Sequence, residues 1–440
     1  MDELFFVIGL TIFVGFLATL VFERTRISQV LLLMLFGFVL GPVLHLVDVA
    51  PASIIVSILP FVATLALIVL LFDAGLMIDV FAVARAIPRS LLFTCLVFTF
   101  SIVLVAAFTL LLGWPLLYGV LLGAVLGGTS SAIVVAMVEK AKITKEARSI
   151  LTLESTITDA LCILVAVTTM QLILSNQPPA IGAVANLLLS SFSVALLLGV
   201  ASAVLWVFAI GRFTLPRYTY MLTLALVFGL YAVTNSMNAS GGFAVFVFGM
   251  VLGNVKELQR LLHIRSESAA TPTIQLFQEE ITFFVRTFFF VYIGLLLSPA
   301  QFTPYILGVS MALLALFVAA RWAVEKVTMS DLQPKDRNVI LVVLPRGLAA
   351  AVLATLPLSS GISIPGFQQI VFSVILFTNI VATAGIFVFE REKKEDRPKP
   401  EKELAEAVEE TEAEKTGEKE AEEAMESDET EDDVTPTQAP

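Results

Sequence analysis

Two carboxylates, Glu154 and Asp159, sit inside the long apolar run that begins near Ile150 (ILTLESTITDALCILVAVTTMQLIL). An ionised carboxylate at bilayer depth costs about 2.5–3.5 kcal/mol or more, so such groups face a protein interior or a watery cavity and mark ion or proton paths. Asp159 lies near the middle of this run, and Ser155 stands four residues earlier on the same helical stripe. Together they offer a carboxylate and a hydroxyl to one small volume, enough to hold part of a dehydrated cation. A carboxylate without a permanent counter-charge can be neutralised by a proton or by a cation, but hardly by both. Mutual exclusion at one site is the simplest physical form of exchange.

Other polar residues lie within reach of that chemistry. Thr158 is next to Asp159 and one turn from Glu154; Thr129 and Ser130 lie at mid-depth in another apolar run; Asp73 sits in Leu71-Phe72-Asp73-Ala74-Gly75-Leu76. Glu154 is expected to pair with Arg346, because a guanidinium forks onto a carboxylate and keeps its charge almost anywhere. Arg286, in VRTFFFVYIGLLL, has Asp73, Glu279 and Glu280 as candidate partners or can snorkel to the surface, and it is given no role in transport. Asn379 is expected to form an interhelical hydrogen bond.

The elements that must carry these residues follow from composition. The 440-residue chain is 58% hydrophobic and only 15% charged, far from an ordinary soluble domain. Thirteen apolar stretches cross or nearly cross a bilayer, near 4–22, 28–43, 54–78, 90–113, 116–138, 148–174, 184–211, 218–235, 239–254, 277–297, 303–324, 338–357 and 368–389. A spanning helix takes about 20 residues. These runs are apolar all round, which excludes the alternation of a β-barrel, so the fold class is an all-α polytopic membrane protein. The first run lacks a basic leader and a cleavage site, and is read as a retained helix. Cys95 and Cys162 each lie inside a span and His45 and His263 lie apart, which gives neither a disulfide framework nor a zinc cluster. No enzyme activity, cofactor or nucleic-acid partner is expected.

Basic residues fall in alternate connections. Arg24 and Arg26 follow span 1, Arg85 and Arg89 span 3, Lys140, Lys142 and Lys145 span 5, and Arg212 and Arg217 span 7. Lys256, Arg260 and Arg265 follow span 9, and Arg321, Lys326, Lys335 and Arg337 border the loop after span 11. The positive-inside rule makes these loops cytoplasmic, with the N-terminus outside and the C-terminus inside a cell membrane. A pivot at span 7 (a linker helix, 184–211) then leaves repeats at 4–174 and 218–389 that enter the membrane from opposite sides. Span 5 is interrupted by Gly127-Gly128-Thr129-Ser130-Ser131 and span 12, its counterpart, by Pro345-Arg346-Gly347. Interrupted helices at matching places in inverted repeats point to a transporter's binding site.

On these residues the chain resembles the monovalent cation:proton antiporter superfamily, closest to its archaeal and bacterial sodium/proton branch. The resemblance rests on LLFDAGLMID, GGTSSAIV, LTLESTITDA, GGFAVFVFGMVLGN, FFFVYIGLLL and LPRGLAAAVLA, in that order along residues 4–390. It implies two crossed, unwound helices in a core domain formed by spans 5, 6, 12 and 13, which moves against a dimerisation domain in a homodimer embedded in lipid. It also implies Asp159 as the carboxylate that binds Na⁺ and H⁺, assisted by Ser155 and the Thr129 backbone, with Glu154 and Arg346 as a helix-holding pair. The chain departs from the family where Thr158-Asp159 replaces Asn-Asp, Thr129-Ser130 replaces Thr-Asp, and Asp73 replaces Glu. With one unpaired site carboxylate, the expected exchange is one cation (Na⁺ first, Li⁺ or K⁺ after it) for one proton, electroneutral and by alternating access. The alternatives are a sodium-coupled organic-anion carrier on a similar fold and a potassium/proton efflux antiporter.

The formal net charge of −11 belongs to the tail. Residues 391–440 hold 20 acidic and 8 basic side chains, against 18 and 19 in residues 1–390. With almost no large apolar residues, this tail is expected to stay disordered in the cytoplasm.

Overall fold

The computed structural model describes residues 2–25, 27–46, 59–78, 80, 88–141, 143–175, 181–210, 218–237, 239–255, 270–297 and 302–391. The acidic tail lies outside the described residues. The first repeat contains α1 (Asp2–Thr25), α2 (Gln29–Phe38, running into a π-helical turn at Val39–Val43), α3 (Leu59–Met77), α4 (Pro88–Leu111), α5 (Leu116–Gly127), α6 (Ser131–Lys140) and α7 (Lys145–Ser175). After α8 (Ile181–Ile210) come α9 (Thr219–Ser236), α10 (Gly241–Gly253), α11 (Ala270–Leu296), α12 (Pro304–Thr328), α13 (Pro334–Val342), α14 (Leu348–Ser359) and α15 (Phe367–Arg391). No strand occurs among the described residues.

Seven of these segments are long and apolar enough to cross a membrane, and the shorter apolar helices stand beside them. At 1.5 Å per residue, the 31 residues of α7 run for about 46 Å. That exceeds the hydrocarbon thickness, so its basic first turn lies beyond the apolar layer. Local starts are legible. The Thr303 hydroxyl accepts from the Ile306 N–H with Pro304 in the first turn of α12, and the Ser240 hydroxyl caps α10 by accepting from Phe243.

Two close crossings show how the repeats interleave. At the α2–α11 crossing, a Cβ added to Gly37 would lie 2.0 Å from the Val291 carbonyl oxygen. At the α3–α10 crossing, one added to Gly75 would lie 2.3 Å from that of Phe246. Such approaches are open only to backbone without side chains. In repeat order α2 corresponds to α10 and α3 to α11, so the two crossings are the same contact made twice with the partners exchanged. The α4 and α12 helices, themselves counterparts, pack on each other.

Two boundaries differ from the sequence expectation. The α11 helix begins at Ala270, seven residues before the expected span, and carries Gln278, Thr282 and Arg286 on one rod, as that span already implied. The α12 helix continues to Thr328, which places Arg321 two turns inside the helix, where it is 2% exposed. Arg321 is therefore not a loop residue.

Candidate functional site

The site grows from the two interruptions. The α5 helix stops at Gly127, Gly128 is extended, and the helix resumes as α6 at Ser131. The α13 helix stops at Val342, and α14 starts at Leu348. The breaks touch: the Ser130 N–H donates to the Pro345 carbonyl at 2.9 Å. A side chain at Gly347 would strike the Ser130 hydroxyl at 2.2 Å, so glycine is what lets the strands of the break meet.

Unwinding leaves backbone N–H groups without helical partners, and the acceptors for four of them can be named. Gly128 N–H donates to Cys162 Sγ at 3.1 Å, Thr129 N–H to Thr158 Oγ1 at 3.1 Å, and Ser131 N–H to Asp159 Oδ2 at 2.8 Å. Ser130 N–H takes the Pro345 carbonyl. Three of the four acceptors thus come from α7: the neighbours Thr158 and Asp159, and Cys162 one turn on. The Ser131 hydroxyl also donates to Asp159 Oδ2, at 2.6 Å. Asp159 is bound at the N-terminal end of a half-helix, where orphan N–H groups and the helix dipole favour an anion. It makes no ion pair among the described residues.

Glu154 does not pair with Arg346. It takes Arg321 of α12 in a forked pair, Nη1 to Oε1 at 2.5 Å and Nη2 to Oε2 at 2.6 Å, with both side chains almost fully buried. Arg321 also donates through Nε to the Ile340 carbonyl and lies 5.5 Å from the centre of the Phe93 ring, joining α7, α12, α13 and α4. Arg346 is occupied elsewhere. Its guanidinium donates to the Gly128 carbonyl, which ends α5, and stacks 4.6 Å over Phe317. Its backbone N–H donates to Thr378 at 3.2 Å, and its carbonyl accepts from Asn379 at 2.8 Å. Asn379 is the interhelical link expected of it, since its Oδ1 also accepts from the Ser28 hydroxyl at 2.7 Å.

A cavity of about 340 Å³ lies beside the breaks and reaches Asp159, Ser130 and Ser131. At about 30 Å³ per water in the liquid, it has room for roughly ten molecules. Helices of both repeats line it: Asp73 and Met77 of α3, Arg286 and Thr282 of α11, and Glu139 at the end of α6. Asp73, Asp159 and Arg286 are half-buried, while Glu139 and Met77 are exposed, so the cavity opens at the end to which the basic loops were assigned.

The structure therefore brings Asp159, Asp73 and Ser130 to one cavity. Thr129 and Thr158 stand behind its wall, with the Thr129 hydroxyl lacking a hydrogen-bond partner among the described residues. Ser155 is fully buried, donates to the Thr152 carbonyl at 3.1 Å, and is not among the cavity residues. Sequence reasoning passed over Ser131, whose backbone and hydroxyl both hold Asp159. The signal was present: Ser131 is the first residue that can restart a helix after Gly-Gly-Thr-Ser. It also passed over Arg321 as Glu154's partner; Arg286, for which Asp73 was one of three candidate partners, shares the cavity with both Asp73 and Asp159.

A family model for the transmembrane sodium/hydrogen exchanger matches residues 9–390. The probable Na(+)/H(+) antiporter 2 of Methanocaldococcus jannaschii is 23% identical over 376 residues, covering 79% of this chain and 85% of that protein. The K(+)/H(+) antiporter NhaP of Alkalimonas amylolytica is 26% identical over 363 residues, covering 81% of this chain. The chain spans 60% of the length of that potassium antiporter. Among solved structures, the sodium proton antiporter MjNhaP1 from Methanocaldococcus jannaschii at pH 8 superposes with a TM-score of 0.70 at 21% identity. The overlap covers 88% of this chain and 98% of that one, a likeness of fold.

Proposed function

The chain belongs to the sodium/hydrogen exchanger family, and from that premise we propose that it exchanges one monovalent cation for one proton at Asp159 by alternating access. One observation carries the reading. Asp159 is fixed by two hydrogen bonds from Ser131 at a half-helix N-terminus, has no ion-pair partner among the described residues, and faces a cavity with room for several waters. A proton or a cation can complete it, and the two compete for the same oxygens.

The cation is Na⁺ in this reading. Oxygen ligands from a carboxylate, hydroxyls and loosened backbone suit a hard ion, and the Thr129 hydroxyl has no hydrogen-bond partner among the described residues. K⁺ is the second reading, favoured by the names of the potassium/proton relatives. Sequence positions of basic residues orient the protein with its N-terminus outside and the cavity open to the cytoplasm. The protein works in the cell membrane among lipids, as a homodimer.

The test is purified protein in liposomes with an imposed pH gradient, scanned with Na⁺, K⁺ and Li⁺. Added Na⁺ should dissipate the gradient saturably in the native protein and not in Asp159→Asn. Exchange that persists in Asp159→Asn would remove this carboxylate from the mechanism. Under a valinomycin clamp, native exchange should not respond to voltage.

A further inference from the structure

The cavity holds a third charge that the exchange reading does not use. Arg286 of α11 lines the same space as Asp73 and Asp159, and it closes no ion pair and donates no hydrogen bond among the described residues. Its helix packs on α3, which carries Asp73, and its charge acts on both carboxylates across the cavity. Thr282, one turn before Arg286 on α11, lines the same cavity. A guanidinium keeps its charge in almost any environment, so this one is a permanent cation inside the ion cavity. Glu139, also in the lining, is exposed at the mouth and screened by solvent.

We propose that Arg286 is a built-in counter-charge that cancels Asp73, leaving Asp159 as the single exchangeable negative charge of the cavity. Two acids and one fixed base leave one net negative charge. One bound cation or one bound proton brings it to zero, so the loaded cavity carries the same charge in both directions of transport. Without Arg286 the cavity would have two negative charges; without Asp73 it would have none. Arg286 in this view touches neither the ion nor the proton. It sets how many charges the site must take up, and is a specificity-determining residue.

The inference rests on Asp159-centred exchange, and its test is separate from that of the exchange itself. The half-saturating Na⁺ concentration would be measured in liposomes for the native protein, Arg286→Gln, Asp73→Asn and the double variant. Apparent affinity should follow cavity charge. It should be strongest in Arg286→Gln, weakest in Asp73→Asn, and restored towards the native value in the double variant. Each single step should be on the order of tenfold or more, the scale on which a nearby charge alters ion binding to a carboxylate. A purely structural Arg286 predicts instead that the double variant is no better than Asp73→Asn, and that result would overturn the proposal. So would a weaker apparent affinity in Arg286→Gln. Failure of both Arg286 variants to fold would overturn it too, because a charge that only balances Asp73 is dispensable once Asp73 is neutral. Loss of sodium-dependent exchange in the native protein would instead sink the reading on which it rests.

Discussion

Removing one partner of the Glu154–Arg321 pair should destabilise the protein more than removing both. The pair is forked, at 2.5 and 2.6 Å, with exposures of 1% and 2%. Glu154→Gln leaves a guanidinium without its counter-ion in a dry interior, holding only the Ile340 carbonyl and the Phe93 ring face. Orphaning a buried charge in this way costs about 3–5 kcal/mol, whereas replacing both partners with apolar residues of similar volume is often neutral or stabilising. Arg321→Met should cost a similar amount, and Glu154→Met with Arg321→Met should cost less than either. The assay is reversible unfolding in mixed micelles, run as a double-mutant cycle. A parallel cycle of Glu154 with Arg346 should show weak coupling, because Arg346 spends its hydrogen bond on the Gly128 carbonyl. A cost below about 1 kcal/mol for both single variants, or stronger coupling to Arg346 than to Arg321, would refute the assignment.

Two further outcomes follow from single contacts. Ser131→Ala removes the hydroxyl that meets Asp159 at 2.6 Å and leaves the backbone N–H at 2.8 Å. A hydrogen bond to a charged group is worth about 1.5–3 kcal/mol, so exchange efficiency in liposomes should fall about tenfold or more. Ser131→Thr should keep most of it, and an unaffected Ser131→Ala would show that the hydroxyl anchors nothing. Gly75→Ala would press a methyl against the Phe246 carbonyl at 2.3 Å and should cost about 1–3 kcal/mol of stability by overpacking. Gly229→Ala, where an added Cβ meets nothing within 4 Å, should be neutral or mildly stabilising, and equal effects at the two glycines would undo the crossing argument.

Much of the site could be read before the fold, and the parts that could not share a cause. Glycine, proline and their matched positions announced both broken helices, because those residues act on their own backbone. Asp159 was legible for the same reason: a carboxylate in an apolar run is costly wherever the run packs. Arg321 was not, since a basic residue near a helix end reads alike whether it reaches for solvent or turns inward. Only the continuation of α12 to Thr328 decides it. Ser131 depended on knowing the residue at which helix resumes, a matter of one position. Arg286 and Asp73 share a cavity only because α3 and α11 pack together, and nothing local in either segment encodes that meeting.

The two repeats are alike in backbone and unlike in charge, and the difference places the chemistry. Crossing two broken helices brings four helix ends to one point: the C-terminal ends of α5 and α13 and the N-terminal ends of α6 and α14. Each end carries about half an elementary charge, negative at the C-terminus and positive at the N-terminus. A purely symmetric pair of breaks would leave this arrangement balanced and without preference for any ion. This chain sets Arg346 from one break on the C-terminal carbonyl of the other, at Gly128, and sets Asp159 of α7 on the N-terminus of α6. The guanidinium more than neutralises its helix end and is held by stacking on Phe317. At its helix end the carboxylate meets only a partial positive charge and no ion-pair partner among the described residues, so part of its charge stays open towards the cavity. That remainder is too small to hold a permanent partner and large enough to favour a passing cation, which is the balance an exchanger needs.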